Sequence, residues 1–330
     1  MRAPIVVFNP AIKDHSGTPN DNLGDVIIWR AIERHLRGLF GPSVKIASIS
    51  SHVPPNESAS RQIRDAEYRF VGGSNLLSSN MRRRRQWKVS GRVMAFRHRA
   101  ILLGVGWTRY QDKPQAFTRF LLRSVLSHKA NHSVRDGYTE RQLRSAGFPN
   151  VINTSCPTLW DWAGEPRVIN TQEPSDRVLL TLTDYRQDEK ADRALVECLA
   201  RRYREIIFWP QGSGDLRYGC HVLFNIRNRV HLLENTLDAL DSLLVRPGSF
   251  DYIGTRLHGG IECLKSGRRG LIIGVDNRAR EISRETGLPT VRREDLDAIE
   301  HWADNSEQCE VHIKKGPIER WMQQFDASDS

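Results

Sequence analysis

Residues 252–274 read YIGTRLHGGIECLKSGRRGLIIG. An apolar run, Tyr252-Ile253-Gly254, precedes Ile261-Glu262-Cys263-Leu264 at helical spacing, and a second apolar run returns at Gly270–Gly274. The stretch predicts strand, helix, strand, the repeating unit of a parallel sheet. Arg256 and His258 stand between the first strand and the helix, with glycines at 254, 259 and 260. The start of a helix favours an anion through its dipole and its unsatisfied amides. An arginine fork adds bidentate recognition of phosphate or carboxylate. The histidine adds a group that exchanges protons near neutrality. A lone histidine is more often structural, but an Arg-x-His spacing beside glycines at a strand end shifts the balance towards function.

The same alternation continues in both directions. Before it lie predicted strands at 5–8, 44–47, 68–71, 100–105, 133–134 and 151–152, with helices at 27–39, 117–126 and 139–145. Residues 163–177, AGEPRVINTQEPSDR, hold two prolines and little apolar patterning. The pattern restarts with strands at 178–182 and 206–209 and helices at 190–203 and 235–244. Helical patterns at 279–286, 293–303 and 318–325 close the chain, the last able to pack back on the first half. The expectation is an α/β protein with two Rossmann-like domains facing across a cleft: 1–163, a linker at 164–177, and 178–330. Ligands of such sheets collect at the carboxyl ends of strands.

The chain has 330 residues, is 39% hydrophobic and 27% charged, and carries five scattered cysteines with no C-x-x-C pair. These features exclude a disordered chain, a disulfide framework and a zinc site, and predict buried or partly buried free thiols. No run approaches the length needed to span a bilayer, and MRAPIVVFNP has too short an apolar segment for a secretory signal. The expected compartment is the cytoplasm, with the inner face of the cytoplasmic membrane also open. Net charge is +10, much of it in the run Met81–Lys88 and in Arg92, Arg97 and Arg99. That run reads either as a solvated face or as contact with an acidic membrane surface or a diphosphate-bearing acceptor. No specific nucleic-acid signature is present.

Three further turns are candidates. Asn22-Leu23-Gly24-Asp25 offers Gly24 for close approach, and Asp25 either as a helix N-cap or as a carboxylate for a sugar hydroxyl. Gly72 and Gly73 follow a strand, as backbone near a ligand or as a plain turn. Arg135 and Asp136 form either a bracing ion pair or a ligand contact. No dinucleotide fingerprint or Walker A pattern occurs, and no carboxylate cluster of the magnesium-holding kind is evident.

The ordered tags N-L-G-D (22–25), G-G-S-N-L (72–76), S-V-R-D (133–136), S-C-P-T-L (155–159), W-P-Q (209–211) with Asp215, R-L-H-G (256–259) and G-V-D-N-R (274–278) resemble the polysaccharide pyruvyl transferase family. The resemblance implies a GT-B-like architecture and a transferase. Its donor would be phosphoenolpyruvate, whose pyruvyl group moves onto two hydroxyls of a saccharide, free or lipid-linked, with release of phosphate. It implies donor-site roles for Arg256, His258 and the intervening Leu257, with Arg186 and Gln211 as further substrate contacts. The first half, with Gly24, Asp25, Gly72, Gly73 and Arg135, would hold the acceptor. No cofactor and no metal are implied. Ser74 departs from a usual third glycine, and Asn277-Arg278 from a usual lysine. A GT-B-type glycosyltransferase with a nucleotide-sugar donor is the alternative, because fold does not fix function.

Overall fold

Apolar runs at helix-alternating spacing become strands of two parallel sheets in the computed structural model, which describes residues 5–89 and 99–326. Arg92 and Arg97 of the basic run lie outside the described residues. The chain divides into two units. One holds residues up to Asn20, Asp25–Gly164 and the segment from Ile313; the other holds Asp21–Gly24 and Glu165–His312.

The first unit contains β1 (Ile5–Asn9), α1 (Leu23–Phe40, apart from its first two residues), β2 (Ile46–Ser50), α2 (Glu57–Asp65), β3 (Tyr68–Leu77), β4 (Ala100–Trp107), α3 (Ala116–Val125), β5 (His132–Val134), α4 (Gly137–Ser145) and β6 (Val151–Asn153). Its strands run parallel in the order β2-β1-β3-β4-β5-β6. Phe8, Val71, Leu102 and Val105 on the strands pack with Leu121, Leu122 and Leu143 of the helices. Each such side chain contributes about 1.5–3 kcal/mol by leaving water.

The second unit contains β7 (Arg167–Ile169), β8 (Arg177–Thr181), α5 (Glu189–Arg202), β9 (Glu205–Phe208), α6 (Ser213–Val222), β10 (Val230–Leu232), α7 (Leu237–Val245), β11 (Asp251–Gly254), α8 (Leu257–Lys265), β12 (Gly270–Ile273), α9 (Asn277–Thr286), β13 (Thr290–Val291), α10 (Leu296–Asp304) and β14 (Cys309–Val311). Six of its strands form a parallel sheet in the order β10-β9-β8-β11-β12-β13, and β7 pairs antiparallel with β14. The stretch 164–177 therefore contains a paired strand rather than bare linker. The last helix, α11 (Lys315–Gln323), belongs to the first unit, where the Trp321 ring packs tilted and the Phe325 ring edge-on against Phe70.

Strand order locates the crevices. In the second unit the chain steps from β8 through β9 to β10, then returns to β11 on the other side of β8. In the first it steps from β1 to β2, then returns to β3. Crossovers leave opposite faces at these two reversals, which opens a crevice beyond the strand carboxyl ends.

Some sequence expectations need correction. Gly72 and Gly73 do not form a turn; β3 continues through them to Leu77, with an irregularity between Ser74 and Leu77. A Cβ on Gly73 would stand 2.7 Å from the carbonyl oxygen of Gly104, so close strand packing demands glycine there. Cys220 is exposed, whereas Cys156, Cys198 and Cys263 are buried. Among the described residues no helix is long and apolar enough to cross a membrane.

Candidate active site

The reversal in the second unit lies between β8 and β11, and the Arg256–His258 turn follows β11 directly. Thr181, at the end of β8, organises the turn. Its carbonyl accepts from the Thr255 amide at 2.9 Å and its hydroxyl from the Arg256 amide at 3.3 Å. Tyr252 donates its hydroxyl to the Arg256 carbonyl at 2.6 Å. Gly254 must be glycine, because a Cβ would sit 2.1 Å from the Thr181 hydroxyl. Arg256 then caps α8 with extended backbone.

The Arg256 side chain is 8% exposed. Its Nε donates to Asp215 Oδ2 at 2.8 Å and its Nη2 to Asp215 Oδ1. Asp184 lies 3.4 Å from Nη2, Asn22 3.3 Å from Nη1, and the Tyr185 ring 4.9 Å from the guanidinium carbon. Two of its nitrogens are thus committed to Asp215, whose carboxylate also accepts the amides of Asp184 and Gln211. Burial pushes the Asp215 carboxyl up from its ordinary value, while Arg256 and the two amides pull it back.

His258 is 3% exposed and Gln211 1%. A Cβ built on Gly24 would meet Asn22 Oδ1 at 3.2 Å, and both Gln211 Oε1 and His258 Nδ1 at 3.6 Å. Gly24 is therefore the point on which these three side chains converge. The Leu23 amide donates to the Gln211 carbonyl at 2.9 Å, fixing the segment there. Both polar atoms of the Gln211 amide are buried without a hydrogen-bond partner among the described residues. Leaving them so costs about 1–3 kcal/mol each, which a bound polar ligand removes.

Of the residues singled out in the sequence, Arg256, His258, Gln211 and Gly24 come together. Arg186 is exposed on the loop after β8, and Arg293 holds that loop by donating to the Arg186 carbonyl at 2.9 Å. The Leu257 side chain is buried, which leaves its amide in the first turn of α8 as the group to offer. Sequence reading missed Asp184 and Tyr185, although they adjoin Arg186, and it gave Asp215 and Asn22 no role. Arg278 donates to the Tyr185 hydroxyl at 2.8 Å and pairs with Asp276 at 2.9 Å.

The first unit has its own cluster at the β1–β3 reversal. Asp25 is not an N-cap, because α1 begins two residues earlier. Its carboxylate accepts from Ser74 Oγ at 3.0 Å and from Asn20 Nδ2 at 3.1 Å. Ser74, the departure from glycine, is held at a φ of 126°. Arg135 is 1% exposed, pairs with Asp136 at 3.5 Å and donates to Asn75. Asp136 caps α4 through the Thr139 amide. Arg135 braces its surroundings through these contacts, and its guanidinium fills the space a Gly106 side chain would need. Among the described residues no group of three or more His, Cys, Asp or Glu side chains is placed to hold a metal ion.

The S. aureus MnaA–UDP co-structure shares the fold, with a TM-score of 0.55 at 11% identity over 97% of this chain and 95% of that one. The UDP-GlcNAc 2-epimerase from Neisseria meningitidis bound to UDP-GlcNAc is also similar, at 11% identity over 99% of both chains with a TM-score of 0.48. The architecture is thus α/β with two Rossmann-like, GT-B-like sheets. No curated protein matches the sequence. The family model for polysaccharide pyruvyl transferase matches residues 22–277, from the Asn22 segment to the start of α9. The chain belongs to the polysaccharide pyruvyl transferase family.

Proposed function

We infer that the protein transfers the pyruvyl group of phosphoenolpyruvate to two hydroxyls of a saccharide precursor of a cell-surface or exopolysaccharide. The supporting observation is the buried, unpartnered Gln211 amide beside His258 and Arg256 at the switch point of the second sheet. A small, doubly anionic donor suits that place. The first-turn amides of α8, Arg256 Nη1 and the exposed Arg186 supply donors for its carboxylate and phosphate.

His258 protonates the methylene carbon, converting it to a methyl group and leaving an oxocarbenium centre at the neighbouring carbon. A sugar hydroxyl adds there and gives up its proton. Phosphate then leaves with the electrons of its C–O bond, and the second hydroxyl closes the ketal with loss of its own proton. The cations stabilise charge on the departing phosphate. Asp25, fixed by Ser74 and Asn20, is assigned to an acceptor hydroxyl. The enzyme works in the cytoplasm in this scheme.

Incubation with phosphoenolpyruvate and a panel of galactosides, glucosides and N-acetylmannosamine-containing acceptors tests this. Phosphate release with addition of one pyruvyl unit supports it. Thermal stabilisation by a nucleotide sugar and none by phosphoenolpyruvate would overturn it in favour of glycosyl transfer.

A further inference from the structure

Residues 78–131 contain thirteen Lys and Arg and a single acidic residue, Asp112. Their net charge of +12 exceeds the +10 of the whole chain, so the remainder is close to neutral. Part of this charge, at Arg82, Arg83 and Arg84, is held on an anchored ledge. Met81 and Trp87 are fully buried anchors, and the Met81 amide donates to Thr118 Oγ1 of α3 at 2.9 Å. The Gln115 amide donates to the Ser79 carbonyl at 2.9 Å, and the Ser78 hydroxyl to the Arg84 carbonyl at 2.7 Å. Arg82, Arg83 and Arg84 are exposed between those anchors. Neither they nor Arg119 form an ion pair among the described residues, although Arg177, Arg193, Arg201, Arg202 and Arg204 of the second unit all do.

Helix α3 beside this ledge has an unusual outer face. Thr118, Leu121, Leu122 and Val125 are buried inward. Outward stand Phe117, 40% exposed, and Phe120, 70% exposed, three residues apart and interleaved with Arg119 and Arg123. Arg119, Phe120, Arg123 and His128 line one groove along the helix. Phenylalanines between cations on the outside of a helix match an interfacial helix, whose rings enter the acyl boundary while its cations meet headgroup phosphates. An extended nucleic-acid strand also wants cations and rings, but the chain carries no nucleic-acid-binding signature.

We propose that α3 and the Arg82–Arg84 ledge form a docking surface for an anionic phospholipid bilayer. The test is co-sedimentation of the full chain with phosphatidylcholine vesicles, with and without 30 mol% phosphatidylglycerol, at about 0.1 M salt. Binding is expected only to the anionic vesicles. Replacing Arg82, Arg83 and Arg84 together by Ser lowers partitioning about a hundredfold. The double variant Phe117→Ser/Phe120→Ser lowers it about tenfold or more with the charge unchanged, and both variants keep the wild-type melting curve. Equal binding to both vesicle types, or none, overturns the proposal. So does tighter binding to single-stranded or duplex DNA than to anionic vesicles at the same salt. A dimer that the phenylalanine variant turns into a monomer also overturns it, by placing those rings between two copies of this chain.

Discussion

Arg256 and Asp215 form a two-point ion pair beneath the turn that opens α8, and the Asp215 side chain is fully buried. The pair fixes the guanidinium by two nitrogens and leaves Nη1, on the Asn22 side, as its outer group. Removing one partner strands a buried charge. Arg256→Ala should therefore lower the stability of the second unit by about 3–5 kcal/mol, and Arg256→Ala/Asp215→Ala by clearly less than the two single losses added. Denaturant unfolding of the three variants checks this. Additive losses would show that the two side chains act independently.

Gly24→Ala separates site from scaffold. The new methyl meets Asn22, Gln211 and His258 side chains at 3.2–3.6 Å, close but without a backbone clash. It also favours helix at the start of α1. Stability should hold or rise while kcat/KM for phosphoenolpyruvate-dependent phosphate release falls about tenfold or more, a loss of at least about 1.4 kcal/mol in transition-state binding. Unchanged kcat/KM would remove the convergence at Gly24 from the site.

Ser74→Gly makes a similar distinction in the first unit. A serine at φ 126° carries strain of order 1–3 kcal/mol, which glycine relieves. The substitution also deletes the hydroxyl that Ser74 donates to Asp25, worth about 1.5–3 kcal/mol to a carboxylate. The two terms roughly cancel, so the unfolding midpoint should change little while turnover drops about tenfold. Full turnover would mean that Asp25 does not need this hold.

Acid stability depends on His132. Its Nδ1 accepts the Leu102 amide at 3.2 Å, and its Nε2 donates to the Ser127 carbonyl at 2.8 Å, so the ring is neutral. Burial depresses its pKa to about 4, with His128 adding to the effect and the Ser127 bond opposing it. The unfolded chain takes up a proton below about 6.5, whereas the folded chain waits until about 4. This group thus removes stability as pH falls through that window, by at most about 1.4 kcal/mol per pH unit, and has no effect above it. Unfolding curves of wild type and His132→Gln between pH 7.5 and 4 should differ in slope. Parallel curves would assign the acid sensitivity elsewhere.

The central strands were legible in the sequence because they are continuous apolar runs, buried on both faces as inner parallel strands are, whereas the short, partly exposed edge strands β10 and β13 were not. β1, β8, β11 and β12 sit close to where the pattern places them. Helix α2 was not legible, since only Ala59, Ser60 and Ile63 face inward; its signal was Asn56, which caps the Ala59 amide. Arg256 and His258 were readable from their place between strand and helix. Gln211 from the loop after β9 and Asp215 from the first turn of α6 reach them, a neighbourhood set by strand order that no local pattern reveals. The Asp25–Ser74 bond spans 49 residues for the same reason.

Calorimetric titration of phosphoenolpyruvate into wild type, Arg186→Ala and Gln211→Leu addresses the donor site most directly. We expect wild type to bind, with affinity weakened about tenfold or more in each variant, as expected for a lost charge-assisted or buried hydrogen bond. Wild-type affinity in both variants, or no phosphoenolpyruvate binding where a UDP- or GDP-sugar binds, would contradict a pyruvyl donor held at the β8–β11 switch point.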